Sequence, residues 1–92
     1  MRFCNCEDNL SCKRFNEGKT IFLKILSSRE VKEIMNLDFS KNIKNLLQVA
    51  NSIVQREFNN DGELFFLQIS ILKNKFFIMV NNHKKNFCIF EK

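Results

Sequence analysis

Ninety-two residues, 45% apolar and with a net charge of +5, make one domain near the lower end of the size range that folds unaided. That composition excludes intrinsic disorder, and apolar runs of about five residues, against the roughly 20 a membrane helix needs, exclude a helical span. The basic residues are scattered, with Lys84-Lys85 beside His83 the densest cluster, which permits an anionic partner but argues against dedicated nucleic-acid binding.

Met1 to Leu10 carries no clear pattern and is expected to be a poorly defined leader to a single domain over residues 1–92. Met1 to Glu7 lacks the apolar segment of a secretory signal, so a cytoplasmic or nuclear setting is expected, where stable disulfides are disfavoured. Ser11 to Phe15 and Thr20 to Leu26 flank Asn16-Glu17-Gly18 and read as a β-hairpin. Ser27 and Glu30 stand three apart, the spacing of a capping box, and Val31, Ile34 and Met35 follow on one helical face.

From Phe39, apolar residues recur at Ile43, Leu46, Leu47, Ala50, Ile53, Val54 and Phe58, with Lys41, Lys44, Gln48, Asn51 and Gln55 opposite. This stripe predicts an amphipathic helix capped by Asp38 or Ser40 and ended by Asn59-Asn60-Asp61-Gly62. Val49 lies beside Ile53 on the shoulder of the stripe and widens it. Three strands follow, Leu64 to Ile71, Lys75 to Val80 and Asn86 to Phe90, the first turn using Lys73-Asn74. The order β-β-α-β-β-β predicts an α+β fold, a five-stranded antiparallel sheet with one long helix packed on it. Phe76 and Phe77 are neighbours, as are Ile78, Met79 and Val80, so both faces of that sheet require cover.

The chemistry-bearing residues are few. Cys4, Cys6 and Cys12 fall within nine residues, with His83 and Cys88 far along the chain, but the paired Cys-x-x-Cys knuckles of structural zinc sites are absent. Free thiols, with Cys88 as a small core residue, are expected in place of a metal site. His83, alone in a polar turn, has no orienting partner; the acidic residues are mostly isolated, Glu7-Asp8 excepted, and no glycine-rich phosphate loop exists. Neither enzyme activity nor a cofactor is expected. The 11 phenylalanines could offer stacking platforms to single-stranded RNA, but with no Trp or Tyr to supply other bulk they are expected in the core.

Leu46 to Phe90 resembles the roadblock dynein light-chain family. The likeness runs through Ala50-Asn51-Ser52-Ile53-Val54, the Asn59-Asn60-Asp61-Gly62 turn, Leu64-Phe65-Phe66-Leu67-Gln68-Ile69, Lys73-Asn74, Ile78-Met79-Val80 and Phe87-Cys88-Ile89-Phe90. Upstream, Asn16-Glu17-Gly18 matches a hairpin turn that in the family commonly ends in Glu-Gly. The chain departs from the family in lacking a clear first helix and in its longer stretch from Ser27 to Asp38. The resemblance implies a non-catalytic dimeric scaffold of a microtubule motor complex, binding a helical segment of a dynein intermediate chain. Related Ragulator subunits pair as heterodimers and hold small GTPases, a second role of the same kind. Pairing in the family uses the long helix and the third strand. Here that assigns Val49 and Ile53, flanked by Asn42, Asn45 and Arg56, to a seam with a second subunit, extended edge to edge by Leu67 and Ile69. The alternative of another class is a small basic subunit of the αβββα type that binds signal-recognition-particle RNA, which normally carries a further helix after its strands.

Overall fold

The computed structural model describes residues 2–5 as backbone and residues 17–91 with their side chains. In chain order the elements are β1 (Arg2–Asn5), β2 (Lys19–Leu26), α1 (Val31–Met35), α2 (Lys41–Glu57), β3 (Phe65–Leu72), β4 (Lys75–Asn81) and β5 (Asn86–Phe90). The strands pair antiparallel in the order β1-β5-β4-β3-β2, with α2 across one face, so the fold is α+β.

Two features depart from expectation. Arg2–Asn5 is a strand and not a leader, lying along β5 with Arg2 opposite Phe90 and Asn5 opposite Phe87. The strand expected at Ser11 to Phe15 lies outside the described residues. β2 pairs with β3, with a bulge between Thr20 and Phe22, and among the described residues it is the edge strand on that side. That pairing sets Leu26 opposite Phe65 and Phe22 opposite Ile69, which extends the apolar face beneath α2 by one strand.

Helix α2 forms where the apolar stripe predicts. Ser40 is its cap, its Oγ accepting from the Ile43 N–H at 3.4 Å, so one of the four orphan donors at the helix start is satisfied. Ile43, Leu46, Leu47, Ala50, Ile53 and Val54 are buried against Leu67, Ile69, Ile78, Val80, Phe87 and Ile89 of the sheet. Phe58 closes the far end of this core, its ring 5.0 Å from that of Phe65 and 5.9 Å from that of Phe87. The Ser27–Glu30 box is half made: the Glu30 carboxylate accepts from the Ser27 N–H and hydroxyl, while the Glu30 N–H donates to the Ser27 carbonyl.

The turns show why the β3–β4–β5 meander holds its register. Lys73 and Asn74 both have positive φ, 51° and 65°, the pattern of a two-residue type I′ hairpin turn. In the next turn the Asn82 side chain accepts from the N–H groups of Lys84 and Lys85. The same side chain donates to Glu63 and to the Leu64 carbonyl, tying the turn to the start of β3. Lys85, from the densest basic cluster of the sequence, reaches back to the end of α2. Its Nζ donates to the Glu57 carbonyl at 2.6 Å, stands 3.5 Å from the Glu57 carboxylate and lies 6.0 Å from the centre of the Phe58 ring. A cation here satisfies a carbonyl that the helix leaves unpaired and complements the helix dipole.

Two stability predictions follow from these contacts. Lys85→Met keeps the aliphatic stem but removes the charge, and should cost about 1 kcal/mol, or roughly 4–8 °C in melting temperature. The paired change Lys73→Asn with Asn74→Gly installs the residues that tolerate positive φ best. It should raise stability by about 0.5–1 kcal/mol. Thermal unfolding followed by circular dichroism checks both; an unchanged Lys85→Met would show that the helix end does not depend on that side chain.

Candidate protein-interaction surface

Successive side chains of a strand alternate between faces, and the registers sort this sheet into two layers. The α2 face carries Leu26, Phe65, Leu67, Ile69, Ile78, Val80, Phe87 and Ile89. The other face aligns Leu23, Gln68, Met79 and Cys88 in one row, and Ser70, Phe77 and Phe90 in the next. Phe77 and Cys88 form a second buried cluster with Leu72, Met79 and Phe90 against it, and the Phe77 and Phe90 rings meet edge to face at 5.0 Å. The adjacent apolar residues of β4 thus serve two cores, one on each side.

Toward β2 this second face opens. Ile21, Leu23 and Ile25 are 45, 55 and 53% exposed, and Phe66, opposite Ile25, is 42% exposed. They form a continuous apolar strip at the edge of the sheet, and among the described residues no strand pairs with the outer edge of β2. The strip is rigid in its register: Gln68 Nε2 donates to Thr20 Oγ1 at 2.7 Å, joining β2 to β3 on this same face. Phe66 is the one phenylalanine among the exposed large apolar side chains of the described residues.

The residues assigned from sequence to a dimer seam lie elsewhere: Asn42, Asn45, Val49, Ile53 and Arg56 run along one side of α2, and Leu67 and Ile69 lie on β3. Leu67 and Ile69 are fully buried under α2, and both edges of β3 are taken, by β2 and by β4, so an edge-to-edge contact through that strand has no free edge. Ile53 is 2% exposed within the core of its own chain, and Val49 is half-buried against it. Asn42, Asn45 and Arg56 are exposed on α2, among Lys41, Lys44, Gln48 and Ser52. The outer face of the helix is therefore polar, because the sheet has already used its apolar shoulder. The sequence signal for the exposed strip is the alternation of Ile21, Leu23 and Ile25 with Phe22, Lys24 and Leu26, which any hairpin arm shares.

A polar cleft of about 370 Å³ lies where the β2–α1 turn meets the α2–β3 turn, lined by Ser27, Ser28, Arg29 and residues 59–62. Its floor is engaged internally. The Ser28 hydroxyl donates to Asn59 Oδ1 at 3.2 Å, and Gln55 Nε2 donates to the Ser28 carbonyl and to Asn51 Oδ1. The Ser28 hydroxyl is thus donated to an amide oxygen and not, among the described residues, to a base that would make it a nucleophile. His83 is exposed in its turn. Among the described residues no group of three or more His, Cys, Asp or Glu is placed to hold a metal, and no helix is long and apolar enough to cross a membrane. Cys6 and Cys12 lie outside the described residues, and Cys4 is described in its backbone alone. Cys88 corrects one expectation: it is disulfide-bonded and not a free core thiol. Compared with known proteins, the chain matches no family model, no curated protein and no solved structure.

Proposed function

We propose that the chain is a non-catalytic scaffold that pairs with a second copy of itself through the outer edge of β2 and the strip formed by Ile21, Leu23, Ile25 and Phe66. The observation that carries this reading is the exposure of that strip along an edge strand. A long apolar edge with unpaired backbone groups is a template for another strand. This keeps the general role that the roadblock likeness implies, a dimeric adaptor in the cytoplasm that presents a joint surface to a helical partner, and moves the seam from α2 and β3 to β2.

The strand is suited to pairing with itself. An antiparallel β2–β2 contact centred on Leu23 sets Ile21 of each copy opposite Ile25 of the other, Leu23 opposite Leu23 and Lys24 opposite Phe22. Lys19 falls opposite Ser27, so no two lysines face one another directly. A two-fold axis through this contact closes the assembly at two copies, and apolar cross-strand pairs add to the backbone bonds. The net charge of +5 on each copy opposes association, so salt should strengthen it by screening.

Light scattering at about 1 to 100 μM gives the test. The wild type should be dimeric at the upper end, more so in 0.5 M than in 0.05 M salt. Leu23→Lys places a like-charge pair at the centre and should weaken the dimer at least tenfold, equivalent to about 1.4 kcal/mol, with an unchanged circular dichroism spectrum. Asn45→Arg, on the exposed face of α2, should leave the dimer intact. A wild type monomeric throughout overturns self-pairing, and a dimer lost on Asn45→Arg but kept on Leu23→Lys returns the seam to the helix.

A further inference from the structure

Cys88 is fully buried at the centre of β5 and takes part in a disulfide, and the residue set directly across from it on β1 is Cys4. We infer that Cys4 is its partner, and that this bond is a thiol-exchangeable clip fastening β1 to the outer edge of β5.

The strand geometry supports the assignment. Glu91 N–H donates to the Phe76 carbonyl at 3.1 Å, toward β4. Backbone groups alternate in direction along a strand, so the N–H groups of Cys88 and Phe90 point the other way, toward β1. Cys4 and Cys88 are then a hydrogen-bonded antiparallel pair, whose Cα atoms stand roughly 5.5 Å apart, inside the range a disulfide spans. β1 has only the four residues Arg2–Asn5 and, among the described residues, a single neighbour. A strand that short at an edge is weakly held by its ladder alone, and a covalent tie decides whether it stays.

The bond closes when a small-molecule disulfide is the oxidant. One cysteine thiolate attacks it, forming a mixed disulfide and releasing one small thiol. The second cysteine thiolate then attacks the protein sulfur of that mixed bond and releases the other. Two electrons pass from the protein to the oxidant, and the two cysteine protons end on the released thiols. A dithiol runs the sequence backwards, leaving two protein thiols and a cyclic disulfide. Opening frees the edge of β5 that β1 covers, so the redox state of one bond sets whether the sheet ends in the short β1 or in β5. The Cys88 sulfur is shielded by burial, so exchange waits on local opening of β1.

Peptide mapping of protein purified without reductant, alkylated under denaturing conditions, should yield a cross-linked pair containing Cys4 and Cys88. Alkylated Cys88, or Cys88 linked to Cys6 or Cys12, overturns the assignment. Hydrogen exchange before and after dithiothreitol tests the clip: the Cys88 and Phe90 amides should exchange at least tenfold faster once reduced, while the Ile89 amide, directed at β4, stays protected. Cys4→Ser should reproduce the reduced state without dithiothreitol, with a melting temperature more than about 10 °C below that of the oxidised wild type. Cys6→Ser and Cys12→Ser should melt with the wild type. Unchanged exchange at Cys88 and Phe90 on reduction would show that β1 is held without the bond.

Discussion

The structure rests on the seat of α2 across β3, β4 and β5. Ile43, Leu46, Leu47, Ala50 and Val54 meet Leu67, Ile69, Ile78, Val80 and Ile89 in a layer from which water is excluded. Burying a side chain the size of Leu, Ile or Val is worth about 1.5–3 kcal/mol. The remaining elements are placed by that seat. Phe58 and Lys85 finish its lower end, α1 adds Val31 and Ile34 to its flank, and β2 contributes Leu26 and Phe22 to its margin.

One face of the sheet being committed to the helix explains the character of the other. β4 supplies Ile78 and Val80 to the first layer, and Phe77 and Met79 to the second. The second layer is buried toward β5 and exposed toward β2, so apolar surface is concentrated at one edge. A partner adding a strand there would continue both the hydrogen-bond ladder and the apolar row.

The parts legible in the sequence were those whose signal is local. The stripe from Phe39 to Phe58 marked α2 and its Ser40 cap, and apolar runs broken by Lys73-Asn74 and by residues 81–85 marked the last three strands. What stayed hidden depends on pairing between distant segments. The Gly18 turn suggested a neighbour for β2 only a few residues away, but nothing local pointed to its pairing with β3. Arg2–Asn5 is too short to carry a strand period, so its union with β5, and with it the meaning of Cys88, could not be read from spacing. Val49 and Ile53 misled for a related reason. An amphipathic helix shows how wide its apolar band is, but not how much of that band its own sheet covers.

The pairing of β1 with β5 also bears on how the molecule is made. Arg2–Asn5 joins strand partners some 85 positions along the chain, so its contacts have close to the largest sequence separation that these residues allow. Such contacts are reached late, after the loop-closure entropy of the whole intervening chain has been overcome. A covalent bond formed at that last step would act on the unfolded ensemble more than on the native one. Closing a loop this long removes chain entropy worth about 4–5 kcal/mol, a sizeable share of the stability expected of so small a domain.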